Sequence, residues 1–162
     1  MPEPRATPPQ MVGYGAPGDA SGAELLPWSW AVERLEGARN YWICTTRRDG
    51  RPHAVPVWGL WLDDAVWFSS SRRSVKARNL ARNPAIVVHL ESGDEAVIAE
   101  GEAAEVVERA KIERLVTPYA AKYDYRPDPD DEGAAWFAVR PRIVHAWRER
   151  DFPRSIVRWA FD

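Results

Sequence analysis

Between His53 and Pro84 the chain reads HAVPVWGLWLDDAVWFSSSRRSVKARNLARNP, and this stretch decides the fold. His53 to Leu62 is an apolar run that closes at Asp63-Asp64, and Ala65 to Ser70 resumes it, which predicts two strands joined by a tight turn. The basic run from Arg72 then opens a short helix, with Val75, Asn79 and Leu80 able to share one face, and Pro84 stops it. Pro56 cannot donate to a ladder, so the first strand has an edge or a bulge at that point.

The same grammar continues on both sides. Upstream, Leu26 to Arg39 sets Trp28, Val32 and Leu35 at helical spacing, and YWICTTR is a strand that turns at Asp49-Gly50. Downstream, Ala85 to Glu91 and Ala96 to Glu108 read as strands, the second bent at Gly101. Ala110 to Tyr123 reads as a helix, Ala135 to Trp147 as a strand with a break or edge at Pro141, and Ile156 to Ala160 as a last short strand. Strands dominate and turns are tight, so the expected class is mostly β with few helices, barrel-like, in one domain from residue 25 to 162. Residues 1–24, rich in proline, glycine and small residues, are expected to form a flexible arm.

Composition narrows the function. The formal charge of −2 provides no basic field for nucleic acid or an anionic membrane, and no apolar run approaches a bilayer span. The single cysteine, Cys44, excludes an internal disulfide and is expected to act as a small buried hydrophobe. With no secretory core at the start, a cytoplasmic location is expected. Nine tryptophans are many for so short a chain; the core and a dimer interface are expected to take most of them, with Trp58, Trp61 and Trp147 as candidate walls of a substrate pocket.

Few residues offer chemistry of their own. Gly13, Gly15 and Gly18 have G-x-G-x-x-G spacing but lack the preceding strand a dinucleotide loop requires. His53, His89 and His145 have no metal-ligand spacing, and no serine sits in a nucleophile elbow. The informative cluster is Ser69, Ser70, Ser71, Arg72, Arg73, Ser74 and Lys76, where a strand becomes a helix. Cations are disfavoured at a helix start, and an external anion resolves that conflict. Such an anion lies beside the apolar run Ala54, Val55, Pro56, Val57 and Trp58, a slot for a flat ring. His53 is the one histidine placed to donate a proton there.

From Thr45 to Val106, DGRP followed by P-V-W and S-x-K-x-R-N-L followed by N-P resemble the pyridoxamine 5′-phosphate oxidase-like superfamily. The end of the chain, with Pro141, Val144 and Trp147 in P-x-x-V-x-x-W and Arg158 in R-W-x-F, is similar too. Within that superfamily the chain is most similar to flavin/deazaflavin oxidoreductases. The resemblance implies a split β-barrel of the FMN-binding type, forming a homodimer with two cofactor sites at the interface. It implies F420 as coenzyme, with FMN or FAD as alternatives, and hydride transfer to a small organic substrate. Ala54 to Trp58 match the strand along the ring; Ser69, Ser70, Ser74 and Lys76 match the phosphate-holding positions. Trp147 and Arg158 match positions that reach the cofactor from the partner. Ser74-Val75-Lys76 departs from the S-R-K of true oxidases, so Arg72 or Arg73 is the expected replacement, and Ser71 joins the set as the third hydroxyl. The vitamin-binding arginine and histidine are not reproduced in RDFPRSIVRWAF, which argues against vitamin oxidation. The competing reading is a module that holds a flavin or haem without turnover.

Overall fold

A computed structural model of the chain describes residues 4–9 and 25–161. Its strands are β1 (Arg5–Thr7), β2 (Asn40–Thr46), β3 (Pro52–Leu62), β4 (Ala65–Ser71), β5 (Ala85–His89), β6 (Glu95–Val106), β7 (Ala134–Arg148) and β8 (Val157–Ala160). Its helices are α1 (Trp28–Gly37), α2 (Val75–Leu80) and α3 (Arg109–Tyr123). The sheet runs β1-β8-β7-β4-β3-β2-β5-β6, and β6 pairs again with β7. Every pairing is antiparallel, so β2 to β7 close into a six-stranded barrel and leave β8 and β1 outside the ring.

Closure depends on the length of β7. Its first half pairs with β4 (Ser69 opposite Trp136), and its second half pairs on the same edge with β8 (His145 opposite Arg158). The long partner on its other edge, β6, shifts register between Glu100 and Gly101, and Gly101 faces Pro141. The break expected at Pro141 is therefore a bulge inside a continuous strand, which spares the proline a ladder bond. Gly101 is obligatory there, because a Cβ would lie 2.2 Å from the Arg140 carbonyl oxygen. The β3–β4 hairpin turns on Asp63 and Asp64, both at positive φ (51° and 57°), as a primed two-residue turn requires.

Alternation decides which side chains fill the barrel. Tyr41 and Ile43 of β2, with Val66 and Phe68 of β4, point inward and are fully buried. α1 closes one end with Ala31 and Leu35, and α2 adds Ala77 and Leu80. α3 lies on the outer wall, where Ile112, Leu115, Tyr119 and Tyr123 cover Leu60, Trp67, Trp136 and Ala138 in a second core. The outer wall of β2 and β5 is different, for Trp42, Cys44, Val87 and His89 stay half-buried and belong to neither core among the described residues. Cys44 is thus a wall residue rather than a core one. Trp61, expected at a pocket, instead packs in the core, its ring 6.1 Å from that of Trp28. Of the arm expected over residues 1–24, Arg5–Thr7 pair with β8, and residues 1–3 and 10–24 lie outside the described residues, as does the G-x-G-x-x-G run.

Candidate functional site

β3 changes character along its length. Over Gly59–Leu62 it pairs with β4, but over Pro52–Trp58 it pairs with β2 alone, so its second edge is open. Pro56 lies within that open half, where its missing N–H costs no ladder bond. Ala54, Pro56 and Trp58 face outward and are exposed, while His53, Val55 and Val57 face the barrel and are half-buried.

α2 is fastened beside this edge. The buried Asn79 donates Nδ2 to Thr45 Oγ1 at 3.0 Å, and Arg82 donates to the Thr46 carbonyl, which ties the helix to β2. Because Thr45 stands opposite His53, the same contact sets α2 against the start of the open edge. Three groups converge there. His53 Nδ1 is buried without a hydrogen-bond partner. Burial first, then the charges of Arg47 and Lys76, push the His53 pKa below its ordinary value. Burial likewise pushes the Lys76 ammonium down, and no carboxylate answers it among the described residues.

The serines divide differently from expectation. Ser74 is the N-cap of α2 and accepts from the Ala77 amide at 3.2 Å, while Ser70 donates to the Ser74 hydroxyl at 3.0 Å. Ser71 accepts from the Arg73 amide. These hydroxyls are partly committed to the turn itself, and Ser69 is half-buried beside them. Of the two candidate replacement arginines, Arg72 is bound to Glu105 and to the Glu132 carbonyl, and Arg73 is the one whose side chain has no partner among the described residues.

Along the face of α2 that carries Asn79, Arg47, Arg48, Arg51, Arg78 and Arg82 line a surface groove of about 590 Å³ containing one acidic residue, Asp49. Asp49 pairs with Arg51 at 2.8 Å, so Arg47, Arg48 and Arg78 keep their charge unmatched among the described residues. The net charge hid this segregation. Spacing signalled it only faintly, because Arg47 and Arg78 meet through folding alone.

Trp147 and Arg158 lie elsewhere. Arg158 stands opposite His145, nine positions along β7 from the Trp136 that pairs with Ser69, about 30 Å of strand. Trp147 lies two residues further, its ring 6.4 Å from Phe152. Among the described residues no hydrogen bond, ion pair or ring contact joins either of them to Lys76. His145 beside them is pushed to a lower pKa by burial, against the pull of Glu100.

The model of the pyridoxamine 5′-phosphate oxidase family matches residues 31–148, most of the chain. The chain belongs to that family. Solved structures agree on the barrel. A conserved hypothetical protein, Rv2991, from Mycobacterium tuberculosis is 22% identical, with a TM-score of 0.70 over 80% of this chain and 89% of its own. A structure titled F420 reductase is also 22% identical, with a TM-score of 0.58 over 69% of this chain and 93% of its own. A putative 5-nitroimidazole antibiotic resistance protein from Bacteroides thetaiotaomicron is 13% identical, with a TM-score of 0.65 over 82% and 84%. No curated protein matches the chain. At these identities the oxidase-family barrel is what the structures share.

Proposed function

We propose that this family member is an oxidoreductase that holds F420, or alternatively FMN or FAD, along the open edge of β3 and passes a hydride to a small organic substrate. The observation that carries the reading is the set beside that edge that is unpaired among the described residues: Lys76 half-buried without a carboxylate, and His53 Nδ1 buried without a partner. Each is costly unless a ligand answers it. A phosphate there accepts from the Lys76 ammonium and from Arg73, and Ser69 and Ser70 lie at the end of β4, which leads into that turn.

The basic groove supports F420 over FMN. FMN ends in one phosphate, which Lys76 and Arg73 suffice to neutralise. F420 continues into an acidic tail, and the arginines of the neighbouring groove match such a tail in charge. Bound there, the deazaflavin or flavin supplies the redox chemistry; the chain contributes binding, orientation and shielding from water. In the free protein, burial and then the two cations Arg47 and Lys76 hold the His53 pKa below its ordinary value. A bound anion offsets the charges of those two cations and so favours a proton on His53.

Trp147 and Arg158 make no contact with Lys76 among the described residues, which supports a homodimer in which a second copy's end strands complete each site. The reading is tested by titrating the purified protein with F420 and with FMN, following coenzyme fluorescence. Lys76→Ala is expected to weaken F420 binding by about 1.5–3 kcal/mol, roughly 10- to 150-fold. Binding that is absent in the wild type, or indifferent to Lys76→Ala, overturns the assignment. Arg48→Ala is expected to weaken F420 and leave FMN unchanged; equal losses with both coenzymes argue for FMN.

A further inference from the structure

Among the described residues three large hydrophobic side chains are exposed, Trp58, Val107 and Tyr125, and two of them meet. The Trp58 and Tyr125 rings lie 6.3 Å apart at 55°. Trp58 is also held from one side: its ring stacks on that of Tyr123 at 4.7 Å and 11°. Tyr123 is buried and fixed, its hydroxyl 2.7 Å from the carbonyls of both Gly59 and Arg39. An indole 40% exposed yet stacked on a pinned tyrosine is an ordered apolar surface facing water. A cation stands beside it. The Arg39 guanidinium carbon lies 5.9 Å from the Trp58 ring centre and 5.8 Å from that of Tyr123, with no carboxylate partner among the described residues.

We infer that Trp58, Tyr125 and Arg39 form a subsite for a flat aromatic substrate that carries a negative charge. A third ring continues the Tyr123–Trp58 stack, with Tyr125 against its edge, and its anionic group meets the guanidinium. The place fits a substrate subsite of the proposed reaction, on which this assignment rests. Trp58 stands five residues along β3 from His53, about 17 Å of strand, at the opposite end of the open edge from the phosphate anchor. A neutral aromatic uses the stack alone, so the guanidinium gives the preference for an anion.

The test is calorimetry on the full chain with naphthalene-2-sulfonate and its neutral counterpart 2-naphthalenemethanol, with sedimentation of each variant. The sulfonate is expected to bind about tenfold more tightly than the alcohol, a charge-assisted contact at a partly exposed site. Arg39→Gln is expected to remove that difference while leaving the alcohol and F420 unchanged. Trp58→Ala is expected to weaken both naphthalenes about tenfold, and Trp58→Phe, which keeps a ring, to recover part of the loss. Equal binding of the two probes, or indifference to Trp58→Ala, overturns the subsite. So does a change in sedimenting mass on Trp58→Ala, which assigns the ring to a subunit contact. F420 binding without naphthalene binding sinks the subsite alone; naphthalene binding without F420 binding sinks the coenzyme reading alone.

Discussion

Leu60 and Pro56 point out of the same strand four residues apart, and their surroundings are opposite. Leu60 is 6% exposed under α3, in a core with Leu115, Tyr119 and Trp136. Pro56 is exposed, and beyond it the outward side chains of β2, β5 and β6 (Trp42, Cys44, Val87, His89, Ile98) are only half-buried and belong to neither core among the described residues. The covered wall is a self-sufficient core layer. The bare wall carries apolar residues at positions where a solvated sheet places polar ones, which is the pattern of a surface meeting something else. The difference separates what the chain completes alone from what it offers to a coenzyme, a substrate or a second copy.

The comparison predicts a large stability effect on one side only. Trp136, 3% exposed beneath α3, is expected to cost about 3–5 kcal/mol on truncation to alanine, read by urea denaturation and independent of protein concentration. A loss below about 1 kcal/mol makes α3 a loose cover and erases the contrast. Gly101→Ala is expected to cost about 1–3 kcal/mol, because its Cβ collides with backbone at Arg140 that cannot rotate away. That variant strikes the bulge that shapes the bare wall; an unchanged stability shows the bulge to be pliable.

On the bare wall the effect appears in assembly. Ile98, half-buried between His89 and His145 in the cross-strand register, is expected to tolerate Ile98→Asp within about 0.5 kcal/mol for the single protomer. In the proposed homodimer the same change puts an unpaired carboxylate in the contact, so the sedimenting mass halves. A wild type that already sediments as one chain removes the homodimer.

Much of this contrast was legible beforehand. The two-residue turn at Asp63-Asp64, the strand from His53 to Leu62 and the helix over Val75–Leu80 follow from turn chemistry and period, which are local. The long-range facts did not. Nothing local to Ile112 or Leu115 says which wall α3 covers, and nothing local to Arg72 says that Glu105 claims it. Trp61 misled because an indole reads alike in a core and in a pocket wall. Arg39 and Tyr125 were invisible as site residues, being lone surface types until the fold sets them beside Trp58. The family showed in motif spacing, since such motifs are themselves local.

The smallest effect lies at the seam between the walls. Gly59, where β3 passes from bare to covered, accepts at its carbonyl from Lys122 Nζ at 3.0 Å, and Lys122 also donates to the Tyr41 hydroxyl at 3.2 Å. Burial pushes the Lys122 pKa down to about 8. An unfolded lysine keeps its proton to about pH 10.4, so between those values the unfolded chain binds more protons than the folded one. Stability is therefore expected to climb as pH rises through this window. Above about pH 10 the sign reverses, because burial raises the pKa values of Tyr41 and Tyr119, which stay protonated in the fold and ionise once unfolded. Urea midpoints taken from pH 7.5 to 10.5 are expected to pass through a shallow maximum, shallow because a half-exposed ammonium is screened. Lys122→Met is expected to abolish the climb and leave the later fall. A flat profile in the wild type means that water reaches the ammonium freely, and then α3 does not seal the seam at Gly59 and the two walls grade into one another.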